Sequence, residues 1–342
     1  MIPSSSHNLD LLRAAAVLCV FVDHLSAACK SYTLGSLGRF GVILFFVHTS
    51  LVLMASLERL DASGLRQKWR LALAFGIRRV FRIYPLSVFC IVLVAVFRIP
   101  ASPEAAYSWI GNWHFLSNLA LTQSLTYSPD ILGVLWSLPL EVEMYCLLPF
   151  IYFVIRSGRY RSAVVWVLAV IAGLTIPKLS GRLDVFTYAP CFAAGILAFD
   201  LAKGVKRAIF PAWLWPCAVA AAIWLYGPAD DVSLPHKMLR AWIVTLGLGL
   251  VIPLCREIAS RWIARSCHYV AKYSYGIYLS HSVVFWLALY RMAGLPLAIR
   301  LATLVVGSVG APVALYHLIE GPLIGVGAQL AGRLRSPAPA LD

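Results

Sequence analysis

The chain has 342 residues, of which 61% are hydrophobic and 13% charged, with a formal net charge of +14. That length would allow two soluble domains, but so apolar a composition excludes an ordinary soluble or disordered chain and predicts a polytopic membrane protein. The positive charge does not call for nucleic acid. With the N-terminus placed in the cytoplasm, 19 Lys and Arg fall in inner segments, 9 in outer ones and Arg13 within the first span, which is the positive-inside asymmetry.

Ten apolar runs follow one another, at about 9–29, 39–57, 80–99, 133–155, 162–177, 185–202, 210–227, 238–255, 271–290 and 299–320. At a rise of 1.5 Å per residue each reaches across most or all of a hydrocarbon core about 30 Å thick. All are expected to be helical, because lipid offers no partner to an unpaired backbone group. The predicted class is therefore an all-α integral membrane bundle of about ten transmembrane helices with both termini in the cytoplasm. Residues 1–325 form one transmembrane domain, and 326–342 form a short cytoplasmic tail. The first span is not expected to be cleaved, since it keeps its charges and lacks a small-residue cleavage site. The eight Cys are scattered without a CxxC pair, so neither a disulfide framework nor a zinc site is expected.

The first span, "NLDLLRAAAVLCVFVDHLSAA", retains Asp10, Arg13, Asp23 and His24. Each ionisable group at bilayer depth costs about 2.5–3.5 kcal/mol on insertion scales, so such groups are held by protein or used. Arg13 and His24 are eleven residues apart, about 1100° of helical rotation, and so share a face. With the N-terminus inside, Arg13 sits near the cytoplasmic mouth and His24 lies about 16 Å further out. Asp10 is one turn before Arg13 and is expected to pair with it. The second span, "GRFGVILFFVHTSLVLMASL", carries His48, readable as a buried structural histidine or as a site residue.

At the inner end of the third span stands "IRRVFRIYPLSVF". Arg79 and Arg82 are three apart and face together beside Arg78. They serve as a positive-inside anchor or as a fork for bidentate phosphate recognition, opening on the same side as Arg13. Residues 100–132 read as a re-entrant or interfacial segment, with Tyr107, Trp109 and Trp113 at headgroup level. In "GVLWSLPLEVEMYCLLPF", Glu141 and Tyr145 are one turn apart and Glu143 points elsewhere. Descending from outside, Glu141 reaches about the depth of His24, where a carboxylate and an imidazole would make a general-base pair. Late in the chain, Tyr275, Tyr278 and His281 line one helical face in "YSYGIYLSHSVVF", and Glu320 closes the last span in "YHLIEGPL".

These segments, in this order, resemble the acyltransferase family 3 of integral membrane proteins. "LDLLRAAAVLCVFVDH" is similar to its first-helix pattern, "RRVFRIYP" to its Arg-x-x-Arg-x-x-Pro element and "WSLPLEVEMY" to its WSL-x-x-E element. "SYGIYLSH" is similar to its SYGIYL-x-H element and "EGP" to its E-x-P ending. The resemblance implies transfer of an acyl group, usually acetyl, from cytosolic acyl-CoA to a hydroxyl of a carbohydrate or glycoconjugate, at the outer face of the bacterial inner membrane. It implies that Arg13, Arg79 and Arg82 bind the donor, that His24 is the catalytic histidine and that Glu141 is the glutamate of the WSL element. Two departures stand out: "FFVHTS" replaces FF-x-x-SG, adding His48, and Pro139 stands where a Ser is usual.

On this reading acyl-CoA, acetyl-CoA above all, is a donor substrate. No cofactor is bound permanently and no metal is needed. The partners are acyl-CoA, the glycan acceptor and membrane lipids, with no nucleic acid. His24 acts as general base or through an acyl-imidazole; the residues leave both routes open. The rival class is a secondary transporter or flippase-like protein for a glycolipid or anionic metabolite. A transporter commonly shows an internal repeat, and none is visible.

Overall fold

The computed structural model describes residues 6–29, 36–65, 67–158, 160–180, 183–205, 207–226 and 234–334. Among them the chain is all α, and helices occupy all ten expected segments. In order these are α1 (His7–Ala28), α2 (Leu37–Ala62), α3 (Lys68–Val96), the short α4 (Asn112–Ala120) and α5 (Gln123–Thr126), then α6 (Ser137–Ile155) entered through a 3-10 turn at Gly133–Trp136. They continue with α7 (Arg161–Ser180), α8 (Val185–Gly204), α9 (Leu214–Tyr226), α10 (Leu234–Val251), α11 (Arg261–Phe285), α12 (Leu297–Leu315) and α13 (Gly321–Gly332). α4 and α5 fall in the segment read as interfacial. Of the tail assigned to 326–342, residues 335–342 lie outside the described residues.

Among the described residues, seven helical runs are long and apolar enough to cross a membrane, α12 and α13 counting as one run of 36 residues. The protein is thus an integral membrane protein. α9, of 13 residues, and the 238–254 run are shorter, and α11 carries Arg261, Arg265 and Lys272 along its first half. These three helices separate the seven from the expected ten.

Contacts between helix ends define two ends of the bundle. At the first, the Ser6 hydroxyl caps α1 by accepting from the Leu9 amide at 3.3 Å and donates to Glu257, just before α11, at 2.6 Å. Asp61 near the end of α2 pairs with Arg156 after α6 at 2.7 Å, and Glu58 pairs with Lys203 of α8 at 3.1 Å. At the second end, Tyr290 donates to the Ala28 carbonyl at 2.8 Å. Successive long helices therefore alternate in direction, while α1 and α11 run parallel.

α2 is the central post: 78% of its apolar window is buried, against 6% for α7 and for the α12–α13 run, which form the periphery. Close approach to α2 depends on small residues. A Cβ on Gly41 would lie 2.4 Å from the Ala16 carbonyl oxygen of α1, and one on Gly195 of α8 would lie 2.2 Å from the Val47 carbonyl oxygen of α2. Van der Waals packing of this kind holds helices together where lipid removes the hydrophobic drive between them. Between α12 and α13 the helix widens into a π-turn, Tyr316–Glu320. Pro322 has no N–H for the carbonyl one turn back, so the ladder is broken there, and the wide turn carries Glu320 toward α3.

Candidate active site

A cavity opens between α1, α2, α3, α6 and α11. Three of its lining side chains are the guanidiniums of Arg13, Arg79 and Arg82, which the sequence places on two different helices. Helical period explains their convergence: Arg79 and Arg82 share one face of α3, and α1 presents Arg13 across from them. Arg13 Nε donates to Ser274 Oγ at 2.6 Å, and that hydroxyl donates to the Ala271 carbonyl at 2.8 Å. Arg82 forms an ion pair with Glu320, whose side chain is fully buried. Arg79 lies over the Phe75 ring at 5.8 Å, and its Nε is buried with no hydrogen-bond partner among the described residues.

Glu141 and Tyr145 complete the charged wall, with the tyrosine hydroxyl donating to Glu141 Oε1 at 2.6 Å. Three guanidiniums thus meet two carboxylates, Glu141 and Glu320, leaving one positive charge in excess. A buried cation without a counter-charge is costly, and a dianionic or phosphorylated ligand would relieve it with charge-assisted bonds. His48 also lines the cavity, its Nδ1 buried and without a partner among the described residues.

Tyr275 and Tyr278, which periodicity puts on one face with His281, form another wall. Tyr275 donates to the Ile83 carbonyl at 2.8 Å. Tyr278 donates to the Val134 carbonyl at 2.6 Å and lies 2.8 Å from Ser137 Oγ. Both rings face the cavity while their hydroxyls tie α11 to α3 and to the turn before α6.

The parallel run of α1 and α11 sets a second group of side chains opposite one another. His24 Nδ1 lies 2.7 Å from His281 Nε2, with the rings stacked at 5.0 Å. His281 is 1% exposed, and its Nδ1 lies 2.9 Å from the Ile277 carbonyl oxygen. A carbonyl only accepts, so His281 Nδ1 carries the hydrogen, and in the neutral ring Nε2 is the acceptor. His24 Nδ1 must then be the donor of the pair, which leaves the lone pair on His24 Nε2. This chain of bonds selects the tautomer that a general base needs.

Two expected neighbours are not brought together. Glu141 sits among the arginines, whereas His24 is not among the lining residues of that cavity, and the carboxylates near enough to act on its charge are Asp23 and Glu104. The partner that orients His24 is His281. Depth alone suggested the Glu141 contact; the rotation of α6 after its 3-10 entry turns Glu141 to the arginines. Asp10 likewise pairs with His268 Nδ1 at 3.0 Å, while Arg13 bonds Ser274. The local one-turn pairing yields to the tertiary partner that α11 supplies. Glu143 points away from Glu141, as its position implies, and accepts from Ser124. Sequence reading missed Ser274 and His268, since a serine or histidine inside a helix carries no mark of its distant partner.

The fold is a bundle of membrane-type helices around an arginine-lined cavity, with the His24–His281 pair one turn beyond Tyr278 of its wall. The family model for the acyltransferase 3 domain, described as "Acyltransferase domain", matches residues 6–317, and the chain belongs to that family. It is 30% identical to the "O-acetyltransferase OatA" of Staphylococcus aureus (strain NCTC 8325 / PS 47) over 169 residues, 46% of this chain and 26% of the relative. It is 27% identical to the "Peptidoglycan O-acetyltransferase OatA" of Listeria monocytogenes serovar 1/2a over 231 residues, 61% of this chain and 34% of the relative. A third relative, "Regulator of hypoxia-inducible factor 1" of Caenorhabditis elegans, is 24% identical over 195 residues, 49% of this chain and 38% of the relative. The matched region is well under two thirds of each relative's length. No solved structure matches the chain.

Proposed function

We propose that this chain is a membrane O-acyltransferase that moves an acyl group, acetyl in the first instance, from acyl-CoA to a hydroxyl of a carbohydrate or glycoconjugate. The observation that carries the reading is the cavity in which Arg79 Nε, buried and without a partner among the described residues, lies beside Arg13 and Arg82. Planar guanidiniums at fixed positions suit the phosphates of coenzyme A. Family membership and the O-acetyltransferase names of two relatives support the same reaction, and the Listeria name makes peptidoglycan one candidate acceptor.

The basic asymmetry of the loops supports both termini in the cytoplasm and an even number of crossings, taken here as ten, with the bacterial inner membrane as the proposed location. The first end of the bundle then faces the cytosol, so acyl-CoA enters from there. Arg13, Arg79 and Arg82 hold its phosphates, Glu320 fixes Arg82, and Glu141 with Tyr145 positions the arginine wall. The acceptor comes from the second end. Its hydroxyl oxygen attacks the thioester carbonyl, His24 Nε2 takes the hydroxyl proton, and His281 holds the ring through Nδ1. The C–S bond breaks as the new C–O bond becomes the ester, and the proton on His24 passes to the departing thiolate to give free coenzyme A. His48, whose Nδ1 has no partner among the described residues, also lines the cavity.

The test is release of coenzyme A thiol from acetyl-CoA by the purified chain in lipid nanodiscs, with and without a glycan acceptor. Protein-dependent thiol release that the acceptor accelerates supports the reading. Intact thioester after prolonged incubation, with CoA bound, would return the chain to the transporter class.

A further inference from the structure

A second space lies apart from the arginine cavity. A groove opens at the second end of the bundle, between the start of α2, the 123–130 segment, the starts of α6, α8 and α10, and the end of α7. Its charges balance: Arg39 and Lys178 face Asp130 and Asp184. Three aromatic rings share the lining. Trp136 packs against Tyr188 at 5.7 Å between centroids, and the Trp242 indole N–H donates to the Thr187 carbonyl at 2.9 Å, which fixes that ring.

A groove without net charge has no preference for an anion, and one with four ionised groups repels an acyl chain. Tyr188 and Trp242 are buried and back the wall, leaving the half-buried Trp136 as the ring whose face a ligand can reach. One aromatic face beside Arg39, Lys178 and the exposed Asp184 suits a ligand with an apolar C–H face and hydroxyls at its rim, which is a pyranose ring. A buried amide stiffens the 123–130 side of the wall. The buried Gln123 donates through Nε2 to Asp130 Oδ1 at 3.1 Å, while its Oε1 has no partner among the described residues.

The groove also stands where an acceptor would have to wait. Trp136 and Leu140 line it, while Ser137, Leu138 and Glu141 on the same stretch line the arginine cavity. Phe46 on the cavity side packs 5.6 Å from Tyr188 on the groove side. One layer of side chains separates the two spaces.

We propose that this groove binds the saccharide acceptor, an assignment that rests on the O-acyltransferase reading above for its purpose but not for its chemistry. The test is direct binding to the full chain in nanodiscs, by isothermal titration, of tri-N-acetylchitotriose and maltotriose, with coenzyme A titrated in parallel. Asp184 is exposed, so Asp184→Asn leaves the fold undisturbed; Trp136→Leu removes an aromatic face. Each should weaken binding of the oligosaccharide about tenfold, the effect of one charged hydrogen bond or stacked ring, with coenzyme A affinity unchanged. Failure of both sugars to bind, or sugar binding that ignores Asp184→Asn in protein that still binds coenzyme A, overturns the proposal. If Trp136→Leu also loses coenzyme A, it has lost its fold and Asp184→Asn decides. Sugar binding that responds to the variants in a protein that never consumes acetyl-CoA would keep the groove and sink the acyltransferase reading. Thioester consumption with sugar binding blind to both variants would do the reverse.

Discussion

The arginine cavity and the aromatic groove share a wall, yet their chemistry is opposite. The cavity is smaller, sits within the bundle and holds a positive charge in excess of its carboxylates; the groove is wider, lies at one end and cancels its own charges. A transporter moving one ligand through both would meet two conflicting environments on one path. Two ligands that meet at the boundary need such a difference, because each compartment then rejects the other's substrate. His24 and His281 stand on the α1–α11 side, one helical turn beyond Tyr278 at the cavity's edge.

The largest effect expected on this division is at the histidine pair. His24→Ala should lower acetyl transfer by about 10²–10⁴-fold, the usual worth of a general base, while coenzyme A binding stays as in the wild type. Retention of most activity at matched protein level would remove His24 from the chemistry.

Next comes Arg82. Its loss alone strands buried Glu320, so Arg82→Leu should cost about 3–5 kcal/mol of stability, read as a lowered unfolding temperature. The double change Arg82→Leu with Glu320→Leu should restore stability but not coenzyme A affinity. Restoration of both would make the pair structural only.

Arg79→Lys keeps the charge and loses the planar fork, so coenzyme A affinity should fall about tenfold, with oligosaccharide binding unchanged. Equal loss for both ligands would erase the distinction between the compartments. A smaller effect is expected at His281, which works through His24. His281→Phe should lower the rate constant for transfer without altering the Michaelis constant for acetyl-CoA, and His281→Gln, whose amide oxygen can accept from His24 Nδ1, should recover part of it. Indifference to both would leave His24 oriented by some other group.

The helices were legible because the apolar runs are long and polar interruptions are few; even the π-turn before Gly321 has a visible cause in Pro322. The arginines were legible too, since Arg79 and Arg82 declare their common face by spacing and Arg13 by its isolation in an apolar helix. What period and depth do not fix is the rotation of one helix about its axis relative to its neighbours. Glu141 was therefore placed at the depth of His24 but turns to Arg13 and Arg79, and Asp10 exchanges a neighbour one turn away for His268, 258 positions on. The pairing of His24 with His281 spans 257 positions and follows from the parallel packing of α1 on α11. The groove was hidden for the same reason: its aromatic and charged residues come from six separate stretches, each unremarkable alone.

The most direct test uses the division itself. The chain is reconstituted into sealed vesicles with tri-N-acetylchitotriose trapped inside and acetyl-labelled acetyl-CoA outside. The two-compartment arrangement predicts labelled, acetylated sugar inside the vesicles, absent with His24→Ala. Label that reaches the sugar only when donor and acceptor share the same side would contradict it.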